Sequence, residues 1–406
     1  MEHIEHRKTG KAFTPQTSVL IFRGQASDCV RKVLGLLCIV NLCTVLTLGL
    51  WPFHAPRNGV SWLQNHDGLR FGRFGSIMST SDFVANNPGN IPEASLELWV
   101  EPADTWRSGT LLAFYRSGNP HQFSLRQFYE ELVLSVAADE AEQIDRKPVE
   151  LEFRRVFQKQ KRVFLTITSG TLGVCIYLDG AIVASVPSFP LGAQEFSGRL
   201  VLGDSPGQSD AWSGQILGVA LYQRKLTPTQ VFHNYATWTQ NGRPDPAPDE
   251  HIIALYLFDE RTGNMVRNKV NSTLDLTIPN DYKVMDKMVM EPFWAEYQTS
   301  RDYWGSALKN VVGFLPFGFC FYAYLITREP LRRATALTVA IGAATSLMIE
   351  VLQAFLPTRA SGTTDLITNT LGTFIGALTY RLMVPALARF FPAISIVERE
   401  RAHDIS

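Results

Sequence analysis

Five ionisable or amide side chains near the end of the chain have a spacing that could build one polar site. Glu350 and Gln353 are three residues apart, so they lie on one face of a predicted helix. Asp365 and Asn369 are four apart and share a face of the next predicted helix, and Arg359 lies in the short loop between the two. Such groups are costly inside a membrane unless they are used or paired. We therefore expect the five side chains to converge.

These residue types suggest proton transfer and recognition of a polar headgroup. The carboxylates of Glu350 and Asp365 could transfer protons or bind a cation, and they are the candidate catalytic residues. A guanidinium group could hold a phosphate, and amides could orient a substrate. The candidate substrate-binding residues are Asn310, Gln353, Arg359 and Asn369.

Predicted membrane-spanning helices would position these side chains. Four apolar runs reach the roughly 20 residues that a spanning helix requires, and they cover residues 33–51, 306–326, 334–356 and 366–387. The near-zero mean hydropathy of the whole chain indicates that a soluble part accompanies this membrane part. The fourth run contains Gly372 and Gly376, a spacing that allows a neighbouring helix to approach closely.

The distribution of basic residues predicts how the helices are oriented. Cytoplasmic segments are enriched in Lys and Arg. Basic residues lie before the first helix, between the second and third, and after the fourth: Arg7, Lys8, Lys11, Arg23, Arg31, Lys32, Arg328, Arg332, Arg333, Arg389, Arg399 and Arg401. Both termini are therefore predicted to be cytoplasmic. The first helix could instead be a cleaved signal peptide, but Trp51-Pro52-Phe53 offers no small-residue cleavage site.

The segment between the first two helices has the pattern of an antiparallel all-β domain. Short alternating runs are broken by Gly, Pro, Asn and Asp. Asp179-Gly180 predicts a hairpin turn, and Thr227 followed by Pro228 predicts a helix start. Cys175 is the lone cysteine of this segment, so no disulfide can form within it.

The order of these signals resembles the concanavalin A-like, laminin-G-like jelly-roll family. The resemblance is based on residues 95–99, Ile176 to Gly180, Leu202-Gly203-Asp204, Trp212-Ser213-Gly214, 221–228, 254–260 and 273–276. The resemblance implies binding of carbohydrate, and some relatives use calcium or are glucanases. Glu97 and Glu101 share a strand face but lie roughly 13 Å apart, which argues against a pair of glycosidase carboxylates.

Individual residues of this domain have two interpretations. Trp106 and Trp212 could stack on sugar rings, and Asp104 or Asp204 could help to bind calcium. Alternatively, the tryptophans pack in the core or at its rim, and the acids stabilise turns. Beyond calcium, no cofactor is expected.

Three other stretches are similar to the VanZ family of small membrane proteins. They are residues 310–318, Glu350 to Gln353 with Pro357 and Arg359, and 365–372 with Gly376. The similarity spans the first helix and about residues 303–384, with the β-rich segment inserted after that helix. It implies a bacterial cytoplasmic (inner) membrane, and relatives are known chiefly through low-level resistance to the glycopeptide teicoplanin. Some relatives have a further acid shortly before the aspartate, where this chain has Thr363-Thr364.

We therefore predict a multi-domain protein with a four-helix transmembrane α module and an all-β concanavalin A-like jelly-roll sandwich. The predicted segments are a cytoplasmic tail (1–32), helix 1 (33–52), the outer sandwich (68–282), an interfacial linker (283–305), helices 2–4 (306–388) and a cytoplasmic tail (389–406). The chain has 38 basic and 38 acidic residues, so nucleic acid is not an expected partner. The histidines form no metal-ligand spacing, and no metal is expected in the membrane site.

Two functional hypotheses remain from the sequence. In one, the membrane module is an enzyme or a binding site for a lipid-linked intermediate of the cell wall or of a polysaccharide. In the other, its ionisable groups form a structural network, and the protein is a membrane-anchored, carbohydrate-binding envelope scaffold without chemistry. The expected partners are membrane lipids in both cases, together with a lipid-linked glycan or a cell-wall polysaccharide.

Overall fold

A computed structural model describes residues 28–84, 93–116, 119–137, 148–187, 189, 191–192, 194–207, 209–245, 251–285, 287–297 and 301–390. The chain divides into two compact units. The sandwich unit comprises Leu50–Glu291 and Val351–Ser361, and the helical unit contains the rest of the described chain. The predicted cytoplasmic tails, 1–32 and 389–406, lie largely outside the described residues.

The sandwich unit contains two antiparallel sheets, as the jelly-roll prediction requires. Its strands are β1 Val60–Trp62, β2 Leu69–Phe71, β3 Ile77–Ser79, β4 Ala94–Pro102, β5 Ser108–Arg116, β6 Asn119–Phe128, β7 Glu131–Val136, β8 Val149–Phe153, β9 Val163–Gly170, β10 Gly173–Leu178, β11 Ala181–Val186, β12 Arg199–Leu202, β13 Gly214–Tyr222, β14 Ile252–Tyr256, β15 Met265–Val266 and β16 Leu276–Thr277. One sheet has the order β1-β2-β13-β4-β9-β10-β11 with β14 paired to β13, and the other has the order β15-β16-β3-β12-β5-β6-β7-β8.

The main core of this unit includes the alternate apolar side chains that the strands turn inward. On β4, Leu96, Leu98 and Val100 belong to this core and are fully buried. Side chains on the opposite face of a strand usually meet solvent. Here a second apolar cluster covers part of that face, and it includes Tyr222 and Trp238. The first sheet is therefore buried on both faces where this cluster lies.

The helix that supplies this cover is α2, Pro228–Asn241. Its predicted start is confirmed: Thr227 forms a capping box with Gln230, and Pro228 is the first helical residue. The predicted hairpin at Asp179-Gly180 is confirmed as well, since both residues have positive φ angles (50° and 79°) between β10 and β11.

Glu97 joins α2 to the first sheet through hydrogen bonds. Its side chain is fully buried. It accepts hydrogen bonds from Tyr222 Oη at 2.7 Å, Asn234 Nδ2 at 3.0 Å and Trp238 Nε1 at 3.2 Å. A buried carboxylate with three donors has the environment of a structural anchor.

The described helices of the helical unit are α1 Asp28–Leu50, α3 Phe293–Glu296, α4 Arg301–Leu325, α5 Leu331–Gln353 and α6 Thr363–Phe390. The last residues of α5 are assigned to the sandwich unit. In the described part of the chain, three segments are long and apolar enough to cross a membrane: Val30–Leu50, Tyr303–Leu325 and Leu331–Gln353. The predicted fourth span, 366–387, is helical as part of α6 but is not among these three, so four spans are not confirmed.

Helices α4 and α6 pack with their backbones close together, as the G-x-x-x-G spacing predicts. A Cβ atom added to Gly372 would lie 2.3 Å from the carbonyl oxygen of Val311, and one added to Gly376 would lie 2.2 Å from that of Leu315. On the facing helix, a Cβ atom at Gly318 would lie 2.0 Å from the carbonyl oxygen of Thr373. Glycine is therefore required at all three positions.

Asp204, two residues after β12, is a buried carboxyl group with a raised pKa. It is 1% exposed and accepts hydrogen bonds from Tyr282 Oη at 2.5 Å, the Asp210 amide at 2.8 Å and the Ser205 amide at 2.9 Å. Burial raises the pKa of Asp204 to about 7, although these hydrogen bonds act in the opposite direction.

This raised pKa predicts that the sandwich loses stability as the pH rises. The pKa of the group is near 4 in an unfolded chain and about 7 in the folded one. Its stabilising contribution is therefore complete below about pH 4 and is lost as the pH rises through about 7. Between pH 5 and pH 8, we expect the loss to be about 3 kcal/mol.

Amide hydrogen exchange of β4 and β13 in the full-length protein, corrected for intrinsic rates, measures this stability. The Asp204→Asn variant should not show this loss of stability between pH 5 and pH 8, because its amide group does not ionise. Asp82→Asn, which removes an exposed partner of Arg199, controls for the loss of one negative charge. Parallel pH dependences in wild type and Asp204→Asn would contradict the prediction.

Candidate functional site

The start of α6 collects carboxylates from several segments of the helical unit. The amide of Gly362 donates a hydrogen bond to Glu350 Oε2 at 2.9 Å. Glu350 comes from the last turn of α5 and is only 1% exposed. The first amides of a helix have no partner within the helix and carry partial positive charge. A carboxylate beside them is therefore stabilised even where water is excluded.

Glu296, from α3, supplies a second carboxylate at the same place. Its Oε2 atom accepts a hydrogen bond from the amide of Thr364 at 2.9 Å. A Cβ atom at Gly362 would overlap Glu296 Oε1, so a larger residue at 362 would require the Glu296 side chain to move. The loop has threonines at 363 and 364, and Glu296 places its carboxylate beside them.

Asp365 is the third carboxylate, and it lies in the first turn of α6. Its Oδ1 atom accepts a hydrogen bond from Asn310 Nδ2, on α4, at 2.7 Å. This contact brings together a predicted catalytic residue and a predicted substrate-binding residue. The pair lies on the same two helices as the close glycine packing, so that packing sets the distance across which the two side chains meet.

Asn369 lies one turn further along α6 and is 5% exposed. Its Nδ2 atom donates a hydrogen bond to Ser346 Oγ, on α5, at 2.9 Å. Within the described residues, its Oδ1 atom is buried and has no hydrogen-bond partner. An unpaired buried acceptor is costly, so this atom is a candidate acceptor for a donor group of a ligand.

The two remaining predicted residues, Gln353 and Arg359, are assigned to the sandwich unit. The carbonyl oxygens of Gln353 and Leu356 accept hydrogen bonds from Lys287 Nζ at 2.5 and 2.6 Å. Arg359 donates to the carbonyl oxygen of Trp51 through Nε at 3.0 Å and Nη2 at 2.5 Å. The hydrogen bonds from Lys287 satisfy two backbone carbonyl oxygens at the end of α5 and just after it. Convergence of all the predicted side chains stays a prediction.

Three residues at these positions were missed by the sequence analysis: Glu296, Ser346 and Lys287. Ser346 is four residues before Glu350, and this helical spacing could have identified it. Glu296 and Lys287 lie in the segment 283–305, which was predicted as a linker. The acidic residue beside the aromatic pair Phe293-Trp294 was the available signal for Glu296.

The carboxylates of Glu350, Glu296 and Asp365 lie around the start of α6, and each accepts a hydrogen bond there. The arrangement could receive hydroxyl or ammonium donors from a ligand, or hold a proton on Asp365 beside Asn310. Among the described residues, no group of three or more His, Cys, Asp or Glu side chains could hold a metal ion.

The candidate sugar-binding residues of the sandwich have different surroundings. Trp106 is 74% exposed, whereas Trp212 is 2% exposed and donates through Nε1 to Gln127 Oε1 at 2.6 Å. For Trp212, the alternative interpretation is confirmed, because its ring belongs to the core and is not available to a sugar. Calcium binding by Asp104 or Asp204 stays a prediction.

Comparison with family models finds the predicted combination of domains. Residues 252–384 match the VanZ/LLP1 family, and residues 76–232 match the concanavalin A-like lectin/glucanases superfamily. The chain thus contains a VanZ-like domain and a lectin-like domain. The first match begins at β14, although β14, β15 and β16 pair within the two sheets of the sandwich.

Solved structures similar to the chain include a candidate carbohydrate-binding protein from Bacteroides ovatus (13% identity, TM-score 0.39, 55% of this chain and 61% of that one). A pentraxin from Limulus polyphemus has 12% identity and a TM-score of 0.33 over 56% of this chain and 96% of that one. A sialidase module from Ruminococcus gnavus bound to sialyllactose has 11% identity and a TM-score of 0.31 over 41% of this chain and 94% of that one. The chain thus spans less than two thirds of the Bacteroides protein. The search of curated proteins finds no match.

The carboxylate of Glu296 is expected to stabilise the start of α6. In the Glu296→Ala variant, the Thr364 amide loses its acceptor and the helix start loses a nearby negative charge, a change of about 1 kcal/mol. Hydrogen exchange of the peptide covering residues 360–370 should become about fivefold faster. Glu329→Ala, which removes an ion pair with Arg333 at the start of α5, should leave this peptide unchanged. Equal exchange in wild type and Glu296→Ala would show that the carboxylate does not hold the helix start.

Proposed function

We propose that this protein is an integral membrane protein of the bacterial cell envelope that binds, or acts on, a lipid-linked intermediate of the cell wall or of a polysaccharide. The observation that carries the proposal is the meeting of Glu296, Glu350 and Asp365 around the start of α6, with Asn310 bonded to Asp365. Ionisable groups are rare in membrane helices and usually serve a pathway or a site. The match to VanZ/LLP1 includes all four of these residues.

In this proposal, each polar group has a defined task. Asp365, oriented by Asn310, accepts a proton or a hydroxyl hydrogen bond from the headgroup, and Glu350 provides a second acceptor. Asn369 Oδ1 accepts from a donor of the same ligand. Arg359 and Gln353 belong to the sandwich unit, and they stay proposed residues for contacting a phosphate and for orienting it. A link to resistance against teicoplanin-type glycopeptides would follow if the intermediate belongs to cell-wall synthesis.

The proposed topology has both termini in the cytoplasm and the sandwich outside the cytoplasmic membrane. The support for it is the positive charge that flanks the cytoplasmic helix ends, including Arg328, Arg332 and Arg333 between α4 and α5. The proposed role of the sandwich is to bind glycan outside the cell. This role rests on the match of residues 76–232 to the concanavalin A-like superfamily.

A second candidate function is a scaffold without chemistry. It is favoured by the hydrogen bonds of Glu296 and Glu350 to backbone amides at the start of α6, since such contacts stabilise a helix whether or not a ligand is present. In this case the carboxylates hold the helical unit together, and the sandwich alone interacts with the envelope.

Binding of a polyprenyl-diphosphate-linked saccharide to the full-length protein in nanodiscs tests the proposal. We expect Asp365→Asn to weaken binding at least tenfold, because it removes the charged acceptor while an amide can still bond to Asn310. Glu329→Gln, at the start of α5, is the matched control. The melting temperature of each variant is measured in parallel.

The two candidate functions predict different results. Weaker binding by Asp365→Asn with an unchanged melting temperature supports a binding site. A lower melting temperature with unchanged binding supports the scaffold. A wild-type protein that binds no polyprenyl-linked saccharide rejects the first proposal.

A further inference from the structure

Two cavities adjoin on the sandwich, where β4 ends and β13 begins. The smaller has a volume of about 30 Å³ and is lined by residues that include Arg73, Asp104, Arg107 and Ser213. The larger is open, has a volume of about 330 Å³, and is lined by residues that include Arg70, Glu101, Ala103, Gly214 and Gln215. Ala103 and Gly214 line the larger cavity, and their chain neighbours Asp104 and Ser213 line the smaller one. The amide of Ala103 also donates to the carbonyl oxygen of Ser213 at 3.1 Å, so this pair of backbones separates the two cavities.

The charged groups around the cavities leave an excess of positive charge. Glu101 accepts from Arg162 Nε at 3.1 Å and from Gln215 Nε2 at 3.2 Å, so its charge is already compensated. Arg107 lies 3.9 Å from Asp104 and keeps 67% of its side chain exposed. Within the described residues, Arg70 and Arg73 have no carboxylate within ion-pair distance. Guanidinium groups that are not paired with a carboxylate of the protein can bind carboxylates and phosphates of a ligand well.

An exposed aromatic residue, Trp106, lies on the turn between Asp104 and Arg107, which both line the smaller cavity. Asp104 Oδ1 accepts hydrogen bonds from the amides of Trp106 and Arg107 at 3.3 and 3.1 Å, which fixes the turn that presents the indole. The ring is 74% exposed, so burying it against the protein is not its role. A large, rigid ring held on a fixed turn can cover the apolar face of a sugar at low entropic cost.

The larger cavity also contains an acceptor without a donor. Gln215 Oε1 is buried and has no hydrogen-bond partner among the described residues. A sugar hydroxyl could donate to it, while Gln215 Nε2 remains bonded to Glu101. The two adjoining cavities and the turn beside them therefore offer cations, an exposed aromatic ring and a hydroxyl acceptor on neighbouring parts of the sandwich.

We infer that this surface, the Arg73–Trp106–Gln215 cleft, binds a glycan that bears carboxylate or phosphate groups. The inference rests on the proposed glycan-binding role of the sandwich and adds the chemical class of the ligand. The larger cavity accepts a sugar ring, with a hydroxyl group bonded to Gln215. The acidic substituent lies at the mouth of the smaller cavity, between Arg73 and Arg107. Trp106 covers the next part of the saccharide.

Binding to an array of acidic saccharides tests this inference. Each uronic-acid saccharide is paired with its methyl ester, and each phosphorylated saccharide with its dephosphorylated form, so that the two sources of charge are distinguished. The probe is the full-length protein in phosphatidylcholine nanodiscs. We expect binding to acidic members only, weaker binding at high salt, and a loss of about tenfold in Arg73→Gln, Arg107→Gln and Trp106→Ala.

Arg154→Gln is the matched control, because Arg154 is an 86% exposed arginine paired with Glu131, outside the cleft. It should bind as the wild type does. Equal binding to acidic and neutral members, or full binding by the Arg73 and Arg107 variants, would overturn the acidic-ligand inference while glycan binding stands. If no saccharide is bound at all, both the inference and the proposed glycan-binding role fail. The wild type could instead bind phosphatidylglycerol vesicles and no saccharide. If the Arg73, Arg107 and Trp106 variants then lost vesicle binding, the cleft would be a lipid-surface contact and the inference would be overturned.

Discussion

Removing a carboxylate from water costs several kcal/mol unless donors replace the lost hydration. Most of the architecture around the buried acids of this protein serves that requirement. Glu97 is held by the hydroxyl, amide and indole groups of Tyr222, Asn234 and Trp238, two of which belong to α2. Glu350 is held by the backbone at the start of α6. In both cases the carboxylate joins a helix to another element, so the electrostatic requirement fixes where that helix lies.

In the helical unit, the same requirement depends on close packing. A 2.7 Å bond between Asn310 and Asp365 needs α4 and α6 to approach closely at that level. The glycines at 318, 372 and 376 allow this approach, because backbone oxygens of the opposite helix lie where their Cβ atoms would be. The three glycines and the Asn310–Asp365 pair are therefore parts of one interface between α4 and α6. A larger residue at any of the glycine positions would separate the helices and break the hydrogen bond between Asn310 and Asp365.

Local signals in the sequence predicted the local features well. The Asp179-Gly180 turn, the Thr227 cap and the close approach at Gly372 and Gly376 each depend on a few neighbouring residues, and all are present. Features that depend on distant segments were not predictable. Glu97 alternates with apolar residues as a solvent-facing residue would, and only the later helix α2 buries it. Trp106 and Trp212 look equivalent in sequence, but only contacts with distant strands show which ring is in the core.

The two family matches also show why the chain cannot be divided at a family boundary. The VanZ/LLP1 match begins at residue 252, yet β14 pairs with β13 from Val219 to Tyr222. The ends of the sandwich meet as well, since the Asn58 amide donates to the carbonyl oxygen of Asn280 at 2.9 Å. A domain whose ends are adjacent can be inserted into another at little cost to either. A cut at residue 252 would expose the edge of β13 and part of the core, so residues after the lectin match are needed to complete the lectin-like fold.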